Sequence, residues 1–403
     1  MEEKMKHVLI IGGYFNRFDS FENINTKISL IQEKHMIHDL HMEACEKIYT
    51  VDKFEPEEAL AIAKELHADS PIDYIFSFIE EGLYTAAYIS KNLGVAGMDY
   101  DVHTLCLDKI QMRERLSGTE FSINSIQTEN YEDALDFFYE NGGKIVLKDP
   151  SGCRSENVFI CKSESELEKA WAVTHVSKVY VRLLEEYLDG REYTLECLSL
   201  NNNHIFLGAT KTYLHSGMPV EDRHIFPAPD VTQDEYFRLE SFCKRLLNQI
   251  DFQHGPMHIE VRLSESGIKL IEINNRTAGG FIWQLVKLST GIDMLTETIL
   301  NAFNENTKLK QDGITKKSNY MASFVIYESV DVDKLRKELE NLMSVSTLYC
   351  MPKQRNKTSG ETFDGGDALG FLAGEMKEGY LTQLDNWINK VEEKILLSRI
   401  DVC

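Results

Sequence analysis

Two alternating runs joined by a short turn, His258-Ile-Glu-Val-Arg-Leu-Ser-Glu-Ser-Gly-Ile-Lys-Leu-Ile-Glu-Ile-Asn-Asn-Arg276, constrain this 403-residue chain more than any other stretch. Side chains along a strand alternate between its faces, so His258, Glu260 and Arg262 share one face and Ile259, Val261 and Leu263 the other. The second run sets Glu272 and Asn274 against Ile271 and Ile273 in the same way. With Glu265-Ser266-Gly267 as a three-residue loop, Ser264 pairs with Ile268, Glu260 falls opposite Glu272 and His258 opposite Asn274. Like charges placed opposite one another destabilise a plain sheet. The same two carboxylates with an amide oxygen form a hard-oxygen site suited to magnesium. A solvent-facing amphipathic hairpin accounts for the acids equally well, and a slip of one residue dissolves the pairing.

Charge limits what such a site can serve. Lys plus Arg number 43 and Asp plus Glu 65, a net charge of −22, which argues against a surface tracking nucleic-acid phosphates or anionic lipid. Any anionic ligand needs a local cationic pocket. A hydrophobic content of 43%, a charged content of 27% and 8 prolines describe a packed globular protein, and the length suggests two to three compact units. The eight cysteines show no C-x-x-C and no paired spacing with histidine, so neither zinc nor a disulfide framework is expected, and reduced thiols in a cytoplasmic protein fit best. The opening apolar run, Val8–Ile11, is too short for a secretion signal or a membrane span.

Residues 1–105 alternate apolar runs (Val8–Ile11, Ile48–Val51, Tyr74–Phe78) with helical patterns at 56–68 and 81–92, which reads as a Rossmann-like α/β unit around a parallel sheet. Gly12-Gly13 follows the first strand, but G-x-G-x-x-G is absent, which disfavours nicotinamide binding. Residues 106–304 change to strand pairs with polar turns, at Lys144–Lys148, Glu192–Leu200, Ile205–Thr210, His258–Leu263 and Ile268–Asn274. A polar stretch from Asn304 to Ser318 precedes a third, α+β segment, 305–403, with a strand at 320–327 and helices at 331–344 and 381–396.

Lys148 ends a strand and is followed by a small-residue loop with Ser151, Gly152 and Ser155, able to offer N–H and hydroxyl groups to phosphate oxygens while the lysine supplies charge. A surface hairpin explains the same residues. In the acidic turn 185–192 an adenine edge could be read by Glu185 and backbone groups, with Glu192 accepting from ribose hydroxyls; taken singly it is a charged turn. Glu80 and Glu81 follow the strand at 74–78, and their place at a helix start is explained by the helix dipole rather than by a substrate amine.

The order of these features is informative: DKxxMR at 108–113, strand lysine 148 with its loop, EEYLDGRE at 185–192, and EINNR at 272–276 with Glu260 upstream. This series resembles the ATP-grasp superfamily over residues 75–300. The resemblance implies an N-terminal α/β domain (1–105), an ATP-grasp domain (106–304) with a lid subdomain at about 118–190, and a C-terminal α+β subdomain (305–403). It implies that Lys109 and Lys148 hold ATP, that Ser151, Gly152 and Ser155 close over its phosphates, that Glu185, Tyr187 and Leu188 meet adenine, and that Glu192 meets the ribose. Lys211 in GATKTY would reach the terminal phosphates, and Glu260, Glu272 and Asn274 would bind magnesium or manganese. His258 and Arg276 would flank the transferred phosphoryl group. Asn157 stands where glycine is frequent in the family, a residue that still tolerates left-handed geometry.

Within the superfamily, IKLIEINNRTAGGFIWQLVKLSTGID, HIFPAP at 224–229 and GETFDGGDALGFLAG at 360–374 look like carboxylate-amine ligases, including the L-amino-acid ligases that make dipeptides. That likeness implies activation of a carboxylate as an acyl phosphate and its capture by an amine, with Gly279 and Gly280 admitting a substrate carboxylate to the backbone beside Arg276. The expected partners are small carboxylates and amines handled by a monomer or homodimer. A carboxylase or purine-biosynthetic ligase is the alternative within the superfamily, and a non-catalytic nucleotide-binding module the alternative outside enzymes.

Overall fold

Residues Val8, Leu9, Ile10 and Ile11 have no solvent exposure, the signature of a strand covered on both faces, as in parallel sheets. The computed structural model describes residues 5–22, 24–152, 157–214, 221–305, 307–309, 314, 320–326, 337, 343–350 and 370–376. Its first part contains β1 (Lys6–Ile11), β2 (Thr26–Glu33), α1 (Asp39–Ala44), β3 (Lys47–Val51), α2 (Pro56–Asp69), β4 (Tyr74–Phe76) and α3 (Glu80–Leu93). The four strands form a parallel sheet in the order β3-β2-β1-β4. Strand β2 escaped the sequence reading because its apolar core, Ile28 to Ile31, is broken by Ser29 and is preceded by a 3-10 helix, Phe15–Phe21, rather than by an amphipathic α-helix that would mark a crossover.

Helices α4 (Tyr100–Leu107) and α5 (Lys109–Leu116) lead away from this sheet. Asp108 caps α5 by accepting from Ile110 N and Gln111 N, which fixes Lys109 as its first residue. Arg113, four residues on, then lies on the same side as Lys109.

Next come β5 (Ser125–Thr128), α6 (Tyr131–Glu140), β6 (Ile145–Lys148), β7 (Val158–Cys161), α7 (Glu164–Val176) and β8 (Arg182–Glu186). They build an antiparallel sheet, β5-β8-β6-β7, whose core includes Phe137, Phe138, Ile145, Leu147, Leu167 and Leu184.

A larger sheet follows. It contains β9 (Arg191–Leu200), β10 (Asn203–Leu214), β11 (Glu221–Phe226), β12 (Gly255–Ser264), β13 (Gly267–Asn274), β14 (Met321–Ile326), β15 (Met343–Cys350) and β16 (Gly370–Met376), in the order β13-β12-β9-β10-β11-β14-β16-β15. Helix α8 (Gln233–Gln249) packs on one face through Leu239, Phe242, Cys243, Leu246 and Leu247, against Tyr193, Leu195, Ile259 and Val261. Helices α9 (Ile282–Thr290) and α10 (Met294–Ala302) follow the hairpin.

Two expectations need correction. The expected helix 331–344 ends in error, since Met343 and Ser344 begin β15; the helix at 381–396 lies outside the described residues. The hairpin turn is a two-residue loop, Glu265-Ser266, with Ser264 opposite Gly267. A bulge at Ile271 then absorbs one residue, so Glu260 still faces Glu272 and His258 still faces Asn274. Cys197 of β9 and Cys243 of α8 lie side by side in the core, Cα atoms 7.6 Å apart, a neighbourhood that only the packing of α8 creates and that linear spacing could not suggest.

Candidate active site

The carboxylates of Glu260 and Glu272, 26% and 20% exposed, face each other on β12 and β13 at the rim of the large sheet. From α5, the buried Lys109 places Nζ 3.3 Å from Glu272 Oε1 and donates to the Gly152 carbonyl at 2.7 Å. Burial lowers the affinity of Lys109 for its proton, but Glu272, with Glu260 and Glu185 behind it, reverses that and raises its pKa. One lysine thus joins the acidic hairpin to the small-residue loop. Ser151, exposed, turns its N–H and hydroxyl onto Asp149, and Ser155 lies outside the described residues. Asn157 adopts φ 53°, the left-handed geometry its side chain tolerates.

A second cationic group lies beside the first. Lys148 at the end of β6 is 2.6 Å from Glu185 Oε2, and Arg113 donates from Nε to Glu185 Oε1 at 2.6 Å. Arg113 also donates to the carbonyls of Leu270 (3.1 Å) and Ile271 (2.7 Å) at the hairpin bulge. Burial would push the Glu185 carboxyl up; Lys148 and Arg113 outweigh it and hold the group down at about 2. Glu185 is therefore a buried anchor for two cations. Arg113 was not singled out in the sequence, although DKxxMR and helical spacing together put it beside Lys109.

Tyr187 and Leu188 lie on the link between β8 and β9, passing from the smaller antiparallel sheet to the larger one, with Lys144 Nζ over the Tyr187 ring at 3.4 Å. Glu192 faces the same side of the sheet as Glu260 and accepts from Arg262 at 2.6 Å.

Lys211 is not brought into this group. It sits opposite Tyr193, which packs in the α8 core, while its neighbour Thr210 sits opposite Thr194 on the side of Glu260. Alternation therefore sends Lys211 to the far face, where Nζ meets Asp230 Oδ2 at 2.7 Å.

At the other end of the hairpin Arg276, with Nε on the Glu80 carboxylate, is held in its charged form chiefly by Glu80, with Glu272 and Glu260 adding to it against the cost of burial. Glu80 thus does more than complement the α3 dipole: burial would raise its carboxyl, and Arg276 holds it down. His103 of α4 donates from Nδ1 to Asn275 Oδ1 at 3.0 Å beside it.

His258 donates from Nδ1 to the fully buried Glu196 at 3.0 Å, and Thr194 Oγ1 donates to the same oxygen at 3.0 Å. Burial alone would lower His258; Glu196 overrides it and raises its pKa. Beyond lies His224, whose burial pushes it down to about 3. Gly280, at φ 55°, lies against that ring, and a Cβ there would come within 2.3 Å of His224 Nε2. Gly279 borders open space.

Among the described residues no three His, Cys, Asp or Glu side chains form a ready-made metal cage. Two facing carboxylates and an adjacent amide fit a magnesium ion that keeps waters and phosphate oxygens for its remaining positions. They do not fit zinc, which takes a closed set of nitrogen and sulfur ligands.

Residues 141–284 match the family model of the ATP-grasp domain, and the three-sheet architecture is that of the ATP-grasp fold. The chain is similar over 97% of its length to the crystal structure of an L-amino acid ligase from Bacillus licheniformis, covering 98% of that chain with a TM-score of 0.80 at 19% identity, a likeness of fold. By sequence it is 28% identical over 246 residues to the uncharacterized protein y4rH of Sinorhizobium fredii (59% of this chain, 50% of that one). It is 21% identical over 273 residues to the L-arginine-specific L-amino acid ligase of Bacillus subtilis (65% of each). The matches thus span half to two thirds of these relatives' own lengths. No helix among the described residues is long and apolar enough to cross a membrane.

Proposed function

We propose that the chain is an ATP-dependent, ADP-forming ligase that activates a carboxylate, most simply that of an amino acid, and joins it to an amine, most simply a second amino acid. The observation that carries this reading is the facing pair Glu260–Glu272 with Lys109 on one side and the Glu80–Arg276 pair on the other. In it, residues 1–105, 106–304 and 305–403 are the three domains, and 118–190 the lid.

Lys109 and Lys148 would neutralise the triphosphate, with Ser151, Gly152 and Ser155 over it and Tyr187, Leu188 and Glu192 along the nucleoside. Glu185 then acts by holding Lys148 and Arg113 in place. Glu260, Glu272 and Asn274 would hold magnesium, which when bound supplies charge stabilisation to the phosphoryl group in flight. The substrate carboxylate attacks the γ-phosphorus, the bond to ADP breaks, and an acyl phosphate results. The amine then attacks the carbonyl carbon, phosphate leaves, and the amine's surplus proton passes to solvent or phosphate. Arg276 and His258 stabilise the developing charge, and Gly279 and Gly280 let backbone amides approach a substrate carboxylate. Lys211, on the opposite face, has no part in this scheme.

A screen of amino-acid pairs with ATP and magnesium, read by phosphate release and by mass spectrometry of products, tests the reading. A condensed product from at least one pair is expected. Phosphate release on bicarbonate alone would instead favour a carboxylase, and nucleotide binding with no turnover a regulatory module.

A further inference from the structure

The segment following Arg276 is held by a residue from the far end of the chain. Arg17, in the 3-10 helix between β1 and β2, is 6% exposed. It donates from Nη1 to the Phe78 carbonyl at 3.2 Å and to Thr277 Oγ1, and from Nη2 to the Ala278 carbonyl at 3.3 Å. Its guanidinium lies 5.1 Å from the centre of the Trp283 ring on α9 and 5.8 Å from that of Phe78. Around it the same short helix is fastened to α9 and α10: Ser20 Oγ donates to Asp293 at 2.8 Å, Thr296 Oγ1 donates to the Ser20 carbonyl at 2.6 Å, and Lys287 bridges Asp293 (2.8 Å) and Asp19 (3.4 Å). A guanidinium is costly to bury unless its donors are used, and its planar fork serves several acceptors at once where an ammonium is a point charge.

What Arg17 fastens is the turn Thr277–Gly280, whose Gly279 borders open space and whose Gly280 lies on His224. The groups gathered on the nucleotide side, Lys109, Lys148 and Glu185, stand on α5, β6 and β8, whereas Phe78, Thr277 and Ala278, which accept from Arg17, stand on other segments.

We propose that Arg17 is a positioning residue for substrate recognition: it presets the Thr277–Gly280 turn from the N-terminal sheet, and acts on the amino-acid substrate but not on ATP. This rests on the ligase reading above, in which that turn receives a substrate carboxylate. A misplacement of a fraction of an ångström in such a turn weakens binding and orientation together.

The test compares Arg17→Met, Arg17→Lys and Thr277→Val in the full chain, by hydrogen exchange and by steady-state kinetics. Thr277→Val removes a single acceptor and keeps the assay informative if Arg17→Met does not fold. In all three, the amide of Ile282, bonded to the Gly279 carbonyl of the turn, should exchange faster, as should those of Gln284 and Leu285, bonded to the Phe281 carbonyl directly after it, while those of the β12–β13 hairpin keep their wild-type rates. KM for one amino-acid substrate should rise about tenfold in Arg17→Met and less in Thr277→Val, with KM for ATP within about twofold of wild type. Arg17→Lys should not rescue, because it keeps the charge and loses the fork. Unchanged exchange at the turn, or KM for ATP rising in step with that for the amino acid, overturns the proposal. Should the wild-type chain ligate no amino-acid pair, the ligase reading falls on that result and the exchange measurement decides the role of Arg17 separately.

Discussion

The strands β12, β9, β10 and β11 have two faces built from alternate residues of the same sequence, and the faces differ in kind. One carries Met257, Ile259, Val261, Tyr193, Leu195, Cys197 and Ala209, packed on α8 with almost no exposure. The other carries His258, Glu260, Glu196, Thr194, Thr210 and His224, equally buried except for Glu260, and turns apolar only beyond them, at Leu198 and Phe226. The apolar face is held by area removed from water and the polar one by specific pairings such as His258 on Glu196. Substitutions on the first face should therefore alter stability, and those on the second, chemistry.

The largest effect should come from Glu272→Ala, which removes half of the facing pair: turnover falls about 10³-fold while the melting transition stays close to wild type, as followed by phosphate release and calorimetry. Wild-type-like turnover would end the site proposal. Leu195→Ala on the opposite face should behave inversely, costing about 2–5 kcal/mol in urea unfolding with KM values preserved in the folded fraction.

A third test uses acid. The Glu185 carboxyl is held at about 2 when folded, below its unfolded value near 4.3, so its contribution is complete above about pH 4.3 and is lost as pH falls toward 2. Glu185→Gln should be destabilised most at pH 5, and its deficit relative to wild type should shrink by about 2 kcal/mol at pH 3, measured from urea midpoints. An equal deficit at both pH values would deny the carboxylate its two cations. The smallest effect belongs to Lys211→Met, with kcat and KM for ATP within about twofold of wild type; a loss of a hundredfold would place Lys211 back among the phosphate-binding groups.

Strand parity explains both what the sequence disclosed and what it withheld. The facing of Glu260 and Glu272 could be read because alternation fixes the face of each, even though the turn was one residue shorter than expected and a bulge at Ile271 restored the register. The same rule, applied to GATKTY, would have sent Lys211 away from the site; it was placed by family likeness alone. Other contacts leave no local trace. Glu80 meets Arg276 across 196 residues and Arg17 meets Thr277 across 260, so only the folded chain reveals them. Glu196 looked like one more polar position in a strand, and nothing nearby in sequence marks the histidine that gives it a role.

Strand β13 is the last in its sheet, and an outermost strand is an invitation to pair with a passing chain. Arg113 occupies two of its carbonyls at the bulge. The guanidinium that anchors Glu185 therefore also takes up two acceptors of this outer margin, and replacing it would leave them without that donor.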